Sequence, residues 1–143
     1  MMKSALYTVH ALICLVLAAS CSGASGGRGV IAFDNTRMYS LNIEAKKHYE
    51  DALRYSRENR PGDAIKAYTS SIRIDPSVAA YNGRSVEYNR TGRYDSAIAD
   101  ANSAIMMNPG YPMPYINRGN AYARRNDLDR ALKSYLRALQ IDP

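Results

Sequence analysis

The chain has 143 residues, enough for one ordinary domain, and 46% of them are hydrophobic, so a packed core is within reach. Nineteen Lys and Arg against 13 Asp and Glu give a net charge of +6, a mild field that favours anionic surfaces without choosing among proteins, lipid headgroups and nucleic acid. Six prolines exclude collagen-like and proline-rich classes, and the two cysteines, Cys14 and Cys21, leave nothing from Ser22 onward to form a disulfide, a thiol nucleophile or a Cys-ligated metal site.

The first residues read as an address. Lys3 supplies a positive start, Ala11 to Ala19 is an unbroken apolar run, and the small residues Ala18, Ala19 and Ser20 follow. That is the layout of a secretory signal. The run is too short for the roughly 20 residues of a membrane span. Leu17-Ala18-Ala19-Ser20-Cys21 resembles the lipobox of bacterial lipoproteins, with Ala18 where Leu is usual. The resemblance implies removal of residues 1–20 as a signal peptide and a lipid on Cys21, which would anchor the chain to a bacterial envelope membrane facing the periplasm. A diacylglycerol meets the need for more than one chain, each buried methylene contributing about 0.8 kcal/mol. Ordinary cleavage nearby, giving a soluble periplasmic or secreted protein, stays open. The small polar stretch after Cys21 suits a tether. Residues 21–41 are taken as the lipidated Cys and a flexible linker, although Val30-Ile31-Ala32-Phe33 is apolar.

The rest of the chain is periodic. Segments 45–77, 78–111 and 112–143 carry the same residue types in register. Tyr55, Tyr88 and Tyr122 align, with steps 88−55=33 and 122−88=34. Ala64, Ala97 and Ala131 do the same, as do Pro76, Pro109 and Pro143. Small residues Ala52, Ser85 and Gly119 form a further column. Tyr115, Gly119 and Tyr122 lie at i, i+4 and i+7, one helical stripe, and Ala131, Tyr135 and Ala138 repeat that spacing on a second. Asn59-Arg60-Pro61-Gly62, Thr91-Gly92-Arg93 and Arg125-Asn126-Asp127 break the stripes and predict turns. Pro76 and Pro109 end second helices, because the residue before Pro disfavours the helical basin.

Columns with a period near 34 resemble the tetratricopeptide repeat (TPR). The third copy matches best, through Tyr115, Arg118-Gly119, Tyr122, Ala131, Tyr135, Ala138 and Pro143. The second departs at Ala101, and the first at His48, Asp51 and Ser71. The resemblance implies an all-α, right-handed solenoid of three helix pairs over residues 45–143. One pair cannot bury its apolar face alone, so stacking completes the core. Leu132, Leu136 and Leu139 of the last helix are expected to stay partly bare. An uncapped apolar end of this kind is a contact for a homodimer.

The resemblance also implies a concave groove, lined by the first helix of each pair, that binds a peptide. The groove-facing positions are Tyr49, Leu53, Ser56 and Arg57 in the first copy, Asn82, Val86, Asn89 and Arg90 in the second, and Ile116, Asn120, Ala123 and Arg124 in the third. Arg57, Arg90 and Arg124 share a column, 90−57=33 and 124−90=34, a row of guanidinium groups suited to an acidic segment. The plainer reading is that these arginines face water at helix C-termini. Asn82, Asn117 and Asn120 add amides able to bond a peptide backbone. Some members of the family clamp the C-terminal carboxylate of cytosolic chaperones with Lys and Asn on the first helix; here Tyr49 and Leu53 stand in those places.

The expected role is a protein-binding scaffold or adaptor, with no cofactor and no metal. An enzyme has little to stand on, since residues 45–143 hold one His, His48, at a packing position, and no Cys. Their 16 basic and 11 acidic residues carry no recognition motif, so no specific nucleic-acid partner is expected.

Overall fold

Six helices and no strand are present among the described residues of the computed structural model, residues 35–143. The expected signal segment, Cys21 and the linker up to residue 34 lie outside them. The helices are α1 (Asn35–Arg57), α2 (Pro61–Ile74), α3 (Val78–Arg90), α4 (Tyr94–Met107), α5 (Pro112–Arg124) and α6 (Leu128–Ile141). They pair as α1 with α2, α3 with α4 and α5 with α6, one pair per repeat. The first helices also touch one another in order, α1 to α3 and α3 to α5, whereas the second helices do not. First helices therefore converge on one side of the stack and second helices splay on the other.

Helix α1 starts at Asn35, earlier than the repeat boundary at 45, so residues 35–41 are helical and not the flexible linker read from the sequence. Its early turns leave Met38, Tyr39 and Ile43 exposed. Polar residues sit between these apolar ones with no contrast of faces, which hid the helix from periodicity.

The turns within the pairs share one build. Asn59, Gly92 and Asn126 take positive φ values of 56°, 75° and 61°, at the same column of each repeat. Asn and Gly are the residues that adopt this region at least cost. One residue later, the N–H groups of Arg60, Arg93 and Asp127 donate to the carbonyls of Tyr55, Tyr88 and Tyr122 at 2.9, 2.8 and 2.9 Å. Each turn thus closes on its tyrosine column, and a guanidinium lies over each ring, Arg60 at 4.5 Å, Arg93 at 5.0 Å and Arg130 at 4.8 Å from the centroid. Ser77 caps α3 by accepting from the Ala80 N–H, and Pro61 and Pro112 occupy helix starts, where their missing N–H costs nothing.

Small residues set the helix spacing. Ala52, Ala64, Ala80, Ala97, Ala101, Ala104 and Ala121 are fully buried. A Cβ on Gly119 would stand 2.5 Å from the Tyr135 ring, so the glycine admits that ring within its own pair. A Cβ on Gly83 would stand 2.5 Å from Cζ and the hydroxyl of Tyr68, so this glycine admits the preceding repeat. Tyr68 is itself held edge-on by Tyr49, with ring centroids 5.8 Å apart.

A buried ion pair reinforces the second repeat. Arg84 on α3 forms a fork on Asp100 of α4, Nε to Oδ2 at 2.7 Å and Nη2 to Oδ1 at 2.8 Å, while Nη1 donates to Thr69 of α2 at 2.9 Å. The carboxylate stabilises the guanidinium's charge and raises its pKa. Arg118, one repeat on, meets Ser134 and Asn102 instead.

The two ends of the stack differ. Ile65, Ile98 and Leu132 share a column (98−65=33, 132−98=34), as do Ile72, Ile105 and Leu139. Ile65 and Ile72 are buried, but Leu132 and Leu139 on α6 are 58% and 59% exposed. Leu136 is exposed as well, so the three leucines expected to stay bare at the end of the stack do so, and Leu128, which was not among them, joins them. On α1, exposed Lys47, Glu50 and Arg54 occupy the columns that hold Ala80, Gly83 and Glu87 on α3.

Candidate functional site

The converging first helices leave a groove of ≈ 420 Å³ between α3 and α5. That volume lies within the range of about 300–1,000 Å³ usual for ligand sites. Helix α3 contributes Val86, Asn89 and Arg90, α5 contributes Asn117, Asn120, Ala123 and Arg124, and Tyr135 of α6 closes the rear. The lining is mostly polar, with Val86 and Ala123 as its aliphatic part.

Four of the site residues expected from the sequence meet here: Arg90, Asn117, Asn120 and Arg124. Arg57, Asn82 and Tyr49 do not line this groove. Tyr49 packs against the core cluster of Ala52, Tyr68 and Ile72, together with Leu53. It also borders a smaller hollow with Asn42 and Lys46. Asn82 Oδ1 accepts from Asn117 Nδ2 at 2.8 Å, so these two amides hold α3 to α5. Asn120 Oδ1 accepts from the Tyr135 hydroxyl at 2.8 Å.

The arginine column splits into different environments. Arg90 Nη1 donates to Glu87 at 2.8 and 3.1 Å, and Nη2 donates to Asn59 Oδ1. Glu87 is 1% exposed and also accepts from Ser56 Oγ, so Arg90 neutralises a buried carboxylate. A buried charge without its partner is costly, which ties Arg90 to the fold. Arg57 and Arg124 are exposed and make no ion pair among the described residues. Arg57 stands near enough to Tyr68 to favour its phenolate, yet burial outweighs this, and the Tyr68 hydroxyl is pushed up to about 12.

Three groups at or beside the site escaped the sequence reading. Glu87 shares a column with Arg54 and Ala121, so repetition gave no hint of a buried acid. Tyr135 stands on a packing stripe, and its spacing carries no sign of a groove wall. Asn89 was counted as groove-facing, but its buried Oδ1, which has no hydrogen-bond partner, was not foreseen. His48 lies at the helix surface, 3.9 Å from Glu44. Among the described residues, no three His, Cys, Asp or Glu side chains cluster to hold a metal ion, and no helix is long and apolar enough to cross a membrane.

Comparison with known proteins agrees with this architecture. Two family models, each described as tetratricopeptide repeat, match residues 44–112 and 113–143. The chain is 33% identical over 100 residues to Hsp70-Hsp90 organizing protein 3 of Arabidopsis thaliana, covering 69% of this chain and 18% of that protein. It is 30% identical over 83 residues to small glutamine-rich tetratricopeptide repeat-containing protein 2 of Mycosarcoma maydis, covering 57% of this chain and 24% of that protein. The chain thus spans a quarter or less of these curated relatives. Among solved structures, the first TPR of Spaghetti (RPAP3) bound to the HSP90 peptide SRMEEVD superposes with a TM-score of 0.69 at 28% identity, over 71% of this chain and 82% of that one. The TPR2B domain of yeast Sti1 in its Hsp70 complex gives 0.68 at 26% identity, over 70% and 81%. With both models falling on the helical columns, the chain belongs to the tetratricopeptide repeat family.

Proposed function

We propose that the chain is a protein-interaction adaptor that holds an extended, acidic peptide segment in the groove between α3 and α5. The observation that carries this is Arg124, a cation with no ion pair among the described residues, at the rim of a groove sized for a ligand. A guanidinium offers a fork of donors that matches a carboxylate. The likeness to the peptide-bound domains of Spaghetti and Sti1 supports the same use of the fold. Tyr49 and Leu53 are engaged in packing where family members that clamp a chaperone carboxylate carry Lys and Asn, so the grip falls on the second and third repeats. Neither matching family model describes an enzyme, in keeping with a binding role.

The test is selection of linear peptides from a displayed library on the full chain. Acidic sequences should be enriched, and their binding should weaken with salt, because the contact is exposed. Arg124→Glu should reduce capture strongly, with a smaller loss for Arg57→Glu. Arg90 is left intact, since a glutamate there would set two carboxylates together in a buried place. Binders indifferent to Arg124→Glu would retire the reading.

The proposal extends to location and assembly. Anchoring to a bacterial envelope membrane through a lipidated Cys21 is supported by Leu17-Ala18-Ala19-Ser20-Cys21 and the small polar stretch behind it. Cys21→Ala should move the protein to the soluble fraction, and a variant that stays fully membrane-bound counts against the anchor. A homodimer through α6 is supported by its four exposed leucines. Sedimentation of the wild type and of Leu132→Lys/Leu139→Lys as one identical monomeric species would dismiss it.

A further inference from the structure

Helix α6 turns two rows of side chains away from the stack. Leu128, Leu132 and Leu136 stand at i, i+4 and i+8, with Leu139 three residues further, and all four are exposed. Its buried residues, Ala131, Ser134 and Ala138, lie on the other side, and α5 is its sole neighbour among the described helices. One residue on from the leucines run Asp129, Lys133 and Arg137, a charged row along one flank. The Asp129 side chain makes no ion pair among the described residues, and Arg137 donates only to Gln140, at 3.2 Å.

An apolar ridge rimmed by charge marks a contact surface, and the symmetry of this one says what it fits. A two-fold axis crossing α6 between Lys133 and Ser134 runs a second copy of the helix the opposite way. Leu128 then falls opposite Leu139, and Leu132 opposite Leu136 to within one residue, about 1.5 Å along the helix. In such a self-complementary pair the same flanks face each other, so Asp129 falls opposite Arg137 of the other copy with the same small offset. The charges left unpaired in one chain are thereby answered twice, once at each end of the contact. Lys133 meets its own copy at the axis, on a flank open to water where the two side chains part. A front-to-back contact is closed, because Lys47, Glu50 and Arg54 stand exposed on α1 where the leucines would land.

We infer that α6 pairs with α6 of a second copy in this antiparallel register, leucine against leucine, with Asp129 and Arg137 paired across the interface at both ends. This rests on the α6 homodimer proposed above and adds the register and the charges that set it. The adaptor is then bivalent, with two α3–α5 grooves in one particle.

Sedimentation equilibrium of the full chain reads the dimer constant. Asp129→Arg and Arg137→Asp each turn both cross-pairs into like charges, and each should weaken dimerisation about tenfold, the scale of two exposed ion pairs inverted. Mixing the two variants should restore association to within about threefold of the wild type, because each cross-pair of the mixed dimer is again acid against base. The combined variant should do the same, and neither recovery is expected of a structural loss within one chain. A dimer that Leu132→Lys/Leu139→Lys breaks but both charge reversals leave alone, or whose loss neither mixing nor combination recovers, overturns the register while the leucine contact stands. A wild type that stays monomeric, leaving the leucines to a helix of another protein or to a membrane, overturns both. Arg137 bonds only to Gln140, so Arg137→Asp keeps the fold and decides alone should Asp129→Arg melt early.

Discussion

Replacing Asp100 with Ala tests whether the buried fork on Arg84 holds the second repeat together. The two side chains are 14% and 8% exposed, and the variant strips two charge-assisted bonds from a guanidinium that cannot follow into water. Removing one partner of a buried pair costs about 3–5 kcal/mol. The lower end applies here, because Arg84 keeps its bond to Thr69 and lies 5.8 and 5.6 Å from the ring centroids of Tyr81 and Tyr88. The expected loss is therefore about 3 kcal/mol, a fall in melting temperature of about 12 °C or more for a domain of this size. Urea unfolding followed by circular dichroism measures it. Arg84→Met combined with Asp100→Leu should cost less than the two single changes together, since no orphan charge remains. Single losses that add to within about 0.5 kcal/mol, or an Asp100→Ala loss below about 1 kcal/mol, would refute the reasoning.

Three further outcomes are expected. Gly83→Ala gains helix propensity of about 1 kcal/mol but drives a Cβ into the Tyr68 ring, and overpacking of about 1–3 kcal/mol should prevail, so a raised melting temperature would contradict the close approach. The Tyr68 hydroxyl, pushed up to about 12 chiefly by burial and then by the charges of Tyr49 and Glu87, stabilises the fold fully below pH about 10 and loses that contribution as pH rises toward 12; Tyr68→Phe should flatten this alkaline decline, and an unchanged profile would count against it. Ser77→Ala removes the acceptor for the Ala80 N–H and should cost about 1 kcal/mol by chemical denaturation, an unaltered midpoint marking the cap as idle.

The helices were legible because packing and turn chemistry repeat together. The tyrosine column closes each turn and the alanine column spaces each pair, so three imperfect copies reinforce one another. Asn35 as the start of α1 was not legible, since its first turns have no partner to impose a stripe. The groove was half legible. Column arithmetic put Arg57, Arg90 and Arg124 in equivalent places but is blind to what differs between repeats, and a buried Glu87 makes Arg90 part of the fold. Asp100 could have been found: it stands in a column otherwise holding Ala67 and Ser134, sixteen residues after Arg84, where a lone acid on an inward stripe calls for a cation.

The charged front of α1 and the leucine-rich back of α6 give the stack a polarity of assembly. A duplicate of residues 112–143 fused behind Pro143 would cover Leu132 and Leu139, whose column mates Ile65 and Ile72 are buried in the first repeat, and lengthening at that side needs no redesign. The same duplicate spliced ahead of Ala45 would press its own leucines and Tyr135 onto Lys47, Glu50 and Arg54, with Glu50 standing where Gly83 makes room for a ring. Anyone elongating this protein would therefore build rearward only.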